Sequence, residues 1–252
     1  MTKIAFRASP APAAQDAFAT LTARHGQSPI ESADFVVALG GDGFMLQTLH
    51  ETEEMDIPVY GMNCGTVGFL MNVFDGNGLP ERLAAAEENV INPLRMTAMT
   101  EGGRRVSALA INEVSLLRAG PQAAKLEIHV DGKLRLDELV CDGALLATPA
   151  GSTAYNYSAH GPILPIGAEV LALTAVASFR PRRWRGALLP KTSKVRINVL
   201  DPVKRPVMAD ADSRSVPNVL SVEIQSEPAV RHRILFDPGH GLEERLIVEQ
   251  FA

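Results

Sequence analysis

The sequence predicts an α/β domain with a parallel sheet followed by a mostly β domain, and three features predict it. Strand-like and helix-like segments alternate over the first ninety-odd residues, the pattern of a parallel sheet with crossover helices. From Arg95 onward the texture changes to short strands closed by turn residues. Asn92-Pro93 breaks the chain between the two textures, so the domains are read as 1–94, a β-rich 95–237, and a segment 238–252 that returns to the first domain.

Ile4-Ala5-Phe6 reads as the first strand, and a helix follows from about Ala13 to His25 with Phe18 and Leu21 on its apolar face. Phe35-Val36-Val37-Ala38-Leu39 is five apolar residues, two of them β-branched, between Asp34 and a pair of glycines. Such a run suits a strand covered on both faces. Gly40-Gly41-Asp42-Gly43 then turns the chain into a helix carrying Leu46 and Leu49, and Pro58 to Met62 is another short strand. A helix is expected around Leu79 to Glu88.

In the second domain, Lys125 to Val130 and Lys133 to Leu136 flank Asp131-Gly132, a strong signal for a two-residue hairpin. Val195 to Leu200, Ser221 to Gln225 and Val230 to Phe236 continue the strand character. Gly241 to Phe251 returns to helical spacing, and its Leu242, Leu246 and Phe251 face needs a partner surface, for which the first domain is expected.

With 46% hydrophobic and 21% charged residues, the 252-residue chain has the make-up of a soluble globular protein with a sizeable core. A net charge of −5 supplies no field to draw in nucleic acid, so no nucleic-acid partner is expected and a polyanionic substrate needs a local site. No apolar run approaches a membrane span or a signal-peptide core, so a cytoplasmic protein without a membrane partner is expected. Cys64 and Cys141 have no metal-ligand or redox spacing and read as small apolar residues, and the six histidines form no metal motif.

Three stretches carry candidate chemistry. In Gly40-Gly41-Asp42-Gly43 the glycines permit positive φ and close approach of a ligand, and the following helix start favours anions. A carboxylate in a phosphate-friendly turn has two special uses, accepting a proton from a hydroxyl or helping to hold a metal; the plain alternative is a helix cap. In Ala110 to Leu116, Asn112 and Glu113 place an amide and a carboxylate side by side in an apolar strand, and both can reach one ligand only at a strand end or bulge. They suit ribose hydroxyls, or are ordinary exposed polar residues beside a turn.

The run from Asp142 to Ser158 joins an apolar strand to the turn Thr148-Pro149-Ala150-Gly151 and then to small hydroxyl residues and Tyr155. It offers backbone amides to phosphate and a ring for stacking, or a plain helix start capped by Ser152 or Thr153. A further glycine-rich stretch, Gly61 to Leu70, has the spacing neither of the dinucleotide fingerprint nor of a P-loop.

In order and spacing, Gly40-Gly41-Asp42-Gly43, Asn112-Glu113, and Asp142-Gly143 followed by Thr148-Pro149-Ala150-Gly151-Ser152-Thr153-Ala154-Tyr155-Asn156 resemble the signature of NAD kinases, along essentially the whole chain. The first motif also occurs in lipid kinases and phosphofructokinase-like enzymes; the third is far more specific. The resemblance implies a Rossmann-like α/β domain, a β-sandwich domain and a C-terminal segment returning to the first. It implies phosphorylation of the adenosine-ribose 2′-hydroxyl of NAD to give NADP, from ATP or polyphosphate, with a divalent metal, usually magnesium. Asp42 is then the proton acceptor beside Gly43, with Gly40, Gly41 and Gly43 at the donor phosphates. NAD falls to Asp42, Gly43, Asn112, Glu113, Asp142, Ala150, Thr153, Ala154, Tyr155, Asn156, Tyr157, Ser158 and Ala177. A homodimer or homotetramer with the site near subunit contacts is also implied.

Three positions depart from the pattern. Phe44 stands where many members have Thr, Ala150 replaces a Thr, and Ala211 in Val207 to Ala211 stands where a His often occurs. Phe179 to Arg185 is a basic cluster that could meet a polyphosphate tail, or be solvated loop charge or a subunit contact. The rival readings are a lipid or sugar kinase sharing the first motif, and a dinucleotide sensor that has lost turnover.

Overall fold

A computed structural model describes residues 2–65, 68–182, 184–239 and 241. The chain divides into two units, Met1–Ile91 with the segment from Ala229 onward, and Asn92–Pro228.

The first unit is an α/β layer. β1 (Ile4–Ala8), β2 (Phe35–Gly40) and β3 (Val59–Asn63) pair in parallel. β4 (Asn72–Val73) lies parallel to the end of β3. α1 (Pro12–His25) starts on a proline, whose missing N–H has no partner to lose there, buries Ala14, Ala17 and Leu21 at helical spacing, and ends at Gly26 with φ 78°. α2 (Asp42–Glu51) buries Met45, Thr48 and Leu49, while Leu46 is only half-buried. β2 is buried from Val36 to Gly40, as its continuous apolar run predicts.

Two expectations shift here. α3 (Leu79–Ala85) stops before Glu88, because Glu87 and Glu88 extend as β5 (Glu87–Ile91). The chain also returns earlier than 238: the strand expected over Val230–Phe236 is, among the described residues, the last strand, β18 (His232–Phe236), and it belongs to this unit. It lies between β3, to which it is parallel, and β5, to which it is antiparallel. The sheet order is therefore β1-β2-β3-β18-β5, with one antiparallel edge. Polar ties secure the returning strand: the Asn72 amide donates to the carbonyls of Gly61 and Leu235, both at 3.0 Å. The Tyr60 hydroxyl donates to Asp237 at 2.6 Å, and Arg82 pairs with the same carboxylate at 2.5 Å. The helix expected over 241–251 lies outside the described residues apart from Gly241.

The second unit is a sandwich of two six-stranded antiparallel sheets. The first, in spatial order β10-β9-β14-β17-β6-β7, comprises β6 (Leu94–Thr100), β7 (Arg105–Ala110), β9 (Ala124–Val130), β10 (Lys133–Cys141), β14 (Val195–Val199) and β17 (Val219–Ser226). The second, in order β13-β12-β11-β8-β15-β16, comprises β8 (Glu113–Arg118), β11 (Gly143–Ala147), β12 (Val170–Val176), β13 (Gly186–Pro190), β15 (Val207–Ala211) and β16 (Arg214–Val216).

β9 alternates buried and half-buried residues, the signature of a sheet with one covered face. Its hairpin to β10 turns at Asp131-Gly132, both with positive φ (52° and 75°), as the dipeptide predicts. Leu126, Ile128, Ile197 and Ile224 of one sheet pack with Leu116, Leu146 and Leu173 of the other to form the core. β11 is buried at every residue because its opposite face is covered too: Leu145 and Ala147 pack with Ala172, Leu164 and half-buried Tyr155. This cover is the segment after β11, which folds back through a 3-10 turn (Ala150–Thr153) into the single helical turn α4 (Tyr155–Ser158). Among the described residues no helix is long and apolar enough to cross a membrane.

Candidate active site

In the first unit, Gly40 at the end of β2 pairs with Asn63 at the end of β3, so the two glycine-rich stretches lie side by side at the carboxyl end of the sheet. Ligands of open α/β sheets bind at such ends. Asp42 is not the helix cap; Gly41 holds that position, extended at φ −127° and ψ −174°, and Asp42 is the first helical residue. Its side chain reaches across to the second stretch, where one carboxylate oxygen accepts the Phe69 N–H at 2.6 Å and the other the Leu70 N–H at 2.8 Å. Gly68 makes room for this, since a Cβ there would stand 2.6 Å from Asp42 Oδ1.

The turn glycines differ from expectation. None of Gly40, Gly41 and Gly43 has positive φ, so the turn uses their missing side chains rather than their conformational range. A Cβ on Gly40 would lie 2.9 Å from Phe44 Cβ, whereas among the described residues no atom lies within 4 Å of where a Cβ on Gly41 or Gly43 would stand, which leaves room there for a ligand to approach the backbone. The Phe44 and Met45 amides turn back to the Gly41 carbonyl, and those of Asp42 and Gly43 are first-turn donors that no helical carbonyl can reach.

In the second unit the expected strand over Ala110–Leu116 is interrupted. β7 ends at Ala110 and β8 begins at Glu113, so Asn112 and Glu113 stand at a strand end, where one ligand can meet both. The Thr148 turn is stitched onto this bend: Thr148 N–H donates to the Asn112 carbonyl at 2.9 Å and Thr148 Oγ1 to the Ile111 carbonyl at 2.7 Å. Gly151 lies against the same bend, where a Cβ would come within 2.1 Å of the Asn112 oxygen.

Glu113 Oε2 is buried and has no hydrogen-bond partner among the described residues. Burial, and after it the charge of Asp212, push this carboxyl up to about 7. Tyr155 is raised by burial and by the charges of Glu113 and Asp142, so its phenol lies in the field of both carboxylates.

The remaining candidates divide. Thr153, Ala154 and Tyr155 are partly exposed beside the Asn112 bend, and Tyr157 and Ser158 are exposed. Ala150 is 4% exposed, so it offers a ligand little surface. Asn156 is fully buried, with its amide on the Ser152 and Pro162 carbonyls and its oxygen on Thr174 Oγ1 at 2.6 Å. All its polar groups serve the turn, a holding part rather than a face offered to a ligand. Neither Ser152 nor Thr153 caps α4; Ala154 takes that position, and the Ser152 hydroxyl bridges Pro149 and Leu164.

Asp142 and Ala177 lie at the other end of the sheet: Gly143 pairs with Val176, whereas Ala147 pairs with Glu113. The five residues of β11 separate the two groups by about 17 Å. Asp142 pairs there with Arg118 at 2.6 Å, and exposed Ala177 takes φ 47°. In the basic cluster, Arg180 stacks on Phe179 at 5.4 Å, and Arg182 and Arg185 are exposed; Arg183 lies outside the described residues. Ala211 is buried in the sandwich core, and the polar residue at that strand end is its neighbour Asp212.

The sequence reading passed over Thr148, Gly68 and Asp212 as functional residues. Thr148 and Gly68 lie inside the stretches Asp142–Ser158 and Gly61–Leu70, whereas Asp212-Ser213 is none of the glycine-containing dipeptides that mark a two-residue turn, so no local signal points to Asp212.

One unit carries a carboxylate oriented in a side-chain-free turn and the other an acid and an amide at a strand end, which together are the equipment of a two-unit small-molecule kinase. Comparison with known proteins narrows the class. Residues 3–92 match the family model of the ATP-NAD kinase N-terminal domain and residues 111–225 that of the ATP-NAD kinase C-terminal domain, so the chain belongs to the NAD kinase family. It is 73% identical over 250 residues to an NAD kinase of Cereibacter sphaeroides, covering 99% of this chain and 98% of that one. To an NAD kinase of Caulobacter vibrioides it is 55% identical over 252 residues, covering 100% and 97%.

Among solved structures, yeast NADH kinase complexed with NADH superposes with a TM-score of 0.84 at 21% identity, covering 100% of this chain and 87% of that one. An NAD kinase from Archaeoglobus fulgidus in complex with ATP gives 0.77 at 22%, covering 98% and 97%. At these identities the two structures establish the shared fold.

Proposed function

We propose that the protein transfers a phosphoryl group to the 2′-hydroxyl of the adenosine ribose of NAD, giving NADP, with Asp42 accepting the hydroxyl proton. The observation that carries this is the held Asp42 carboxylate: each oxygen accepts one backbone N–H and keeps a second lone pair for the hydroxyl. General-base assistance of this kind contributes about 10²- to 10⁴-fold, and positioning and charge neutralisation supply the rest. Asn112 and Glu113 hold ribose hydroxyls, Tyr155 offers its ring, and Asp142, Ala150, Thr153, Ala154, Tyr157, Ser158 and Ala177 complete the NAD contacts. Asn156 holds the turn that carries Ala150, Thr153, Ala154, Tyr155, Tyr157 and Ser158.

ATP is the donor, with polyphosphate the alternative, and the bare amides around Gly40, Gly41 and Gly43 receive its phosphates. Among the described residues no three His, Cys, Asp or Glu side chains converge as a metal cage. The donor set fits a magnesium ion that arrives on the donor phosphates and keeps several of its waters. When bound, it neutralises charge on the transferring group. A homodimer or homotetramer and a cytoplasmic location belong to the same reading, to be checked by sedimentation and fractionation.

The test is NADP formation from NAD, ATP and magnesium, followed with an NADP-specific dehydrogenase, with Asp42→Asn in parallel. Product from the unaltered chain and almost none from the variant supports the reaction and the base. Product from polyphosphate alone would reassign the donor. NAD binding without turnover from either donor would overturn the kinase reading in favour of a sensor.

A further inference from the structure

The bend at Ile111-Asn112-Glu113 is gripped from two sides. The Ile111 and Asn112 carbonyls go to Thr148, as described, and the amides of the bend go to one side chain outside every motif. Asp212 Oδ2 accepts the Ile111 N–H at 2.7 Å, and Oδ1 accepts those of Asn112 at 3.0 Å and Glu113 at 3.4 Å. Asp212 returns its own N–H to the Glu113 carbonyl at 3.3 Å. It begins the two-residue turn between β15 and β16 with φ 49°, a conformation that Asp tolerates better than most residues.

We propose that Asp212 is a positioning residue for nucleotide binding, fixing the bend so that the Asn112 and Glu113 side chains are presented to the ribose. This rests on the reading of those two residues as NAD contacts. The chemistry calls for a carboxylate. Three successive N–H groups converge on one place, and only a side chain with two acceptor oxygens and no donor can take all three. An amide of the same size would turn its NH₂ toward at least one of those donors. With the backbone of the bend satisfied on both sides, the unpartnered Glu113 Oε2 is the acceptor left for a ligand hydroxyl.

The arrangement also ties recognition to pH. Among the described residues two titratable groups face Glu113: Asp212 from the β15–β16 turn, whose charge raises it, and the Tyr155 phenol from α4. Ionised Glu113 accepts a ribose hydroxyl hydrogen, so NAD affinity rises with pH through about 7, where this carboxyl titrates. Removing the Asp212 charge lets Glu113 ionise at lower pH and moves that rise downward. A residue that merely stiffened the turn would leave the midpoint in place.

The experiment is NAD titration by calorimetry from pH 5.5 to 8.5, with steady-state kinetics, on the unaltered protein and Asp212→Asn. The expected result is a KM for NAD raised about tenfold, the usual scale for a lost charge-assisted hydrogen bond, with kcat much less affected and the affinity midpoint moved to lower pH. An unchanged KM, or a weakened enzyme with lowered melting temperature and an unmoved midpoint, would overturn the proposal alone. Failure of the unaltered protein to bind NAD would overturn the NAD reading and the proposal with it. Asp212→Ser, which keeps one small acceptor without the charge, gives the same readouts if the amide variant does not fold.

Discussion

Asp42 and Glu113, two of the three acidic residues expected to touch the substrate, are held in opposite ways. Asp42, in the α/β unit, has a backbone donor on each oxygen and a glycine behind it that leaves no space for a side chain. Glu113, in the sandwich unit, has one oxygen buried without a partner among the described residues, and its carboxyl is driven up to about 7. The first arrangement fixes direction, which a group taking a proton in flight needs most. The second leaves an unmet acceptor, which a ligand hydroxyl can satisfy; a substrate lacking that hydroxyl would leave the buried oxygen unpaired at a penalty of about 1–3 kcal/mol. The contrast separates a group built for chemistry from one built for recognition.

The sharpest break in this contrast is Asp42→Asn, expected to lower kcat by about 10²- to 10⁴-fold while NAD binding persists in calorimetry. Gly68→Ala attacks the same group indirectly. Its methyl would displace the carboxylate, and misplacement on this scale costs about 10² in kcat, with NAD affinity little changed. If Gly68→Ala weakens binding instead, the division of labour between the two carboxylates fails.

Glu113→Gln probes the other side. The folded value of about 7 lies above the ordinary 4.5, so the folded state holds this proton more tightly than the unfolded one. The stability it contributes is complete below pH 4.5 and is lost as pH rises to 7. The variant should therefore be more stable than the parent by on the order of 2–3 kcal/mol at pH 8, with the advantage shrinking toward pH 5, as read by urea unfolding. Its KM for NAD should rise. Equal stability at both pH values would show that Glu113 is not held in an unfavourable charged state.

The smallest effect belongs to Arg182→Ala with Arg185→Ala. As exposed residues they should change stability by less than about 0.5 kcal/mol. Kinetics with polyphosphates of several lengths then tell a donor-binding role, seen as a lost length dependence, from plain solvated charge.

Much of the fold was legible in advance because its signals are short-range. The β2 run announced a buried strand, Asp131-Gly132 announced its hairpin, and the change of texture after Asn92-Pro93 put a boundary at 94, close to Ile91–Asn92, where the two units divide. The fate of Val230–Phe236 was not legible: a short strand ending in Ile234-Leu235-Phe236 looks the same in a sandwich or beside β3, and its neighbours decide. Asn156 and Ser152 likewise read as ligand or cap residues, since a polar side chain in a turn does not reveal whether it faces outward or is buried among carbonyls.

Side-chain periodicity and turn residues, acting within a few positions of one another, set most of the element types, the two-part organisation and the motifs that carry the chemistry. Tertiary structure alone decided how those motifs work. Asp42 is steered by Leu70, 28 residues away, and the Asn112 bend by Asp212, 100 residues away. Such bonds arise only when packing brings distant backbone donors to one carboxylate, and no local pattern records them.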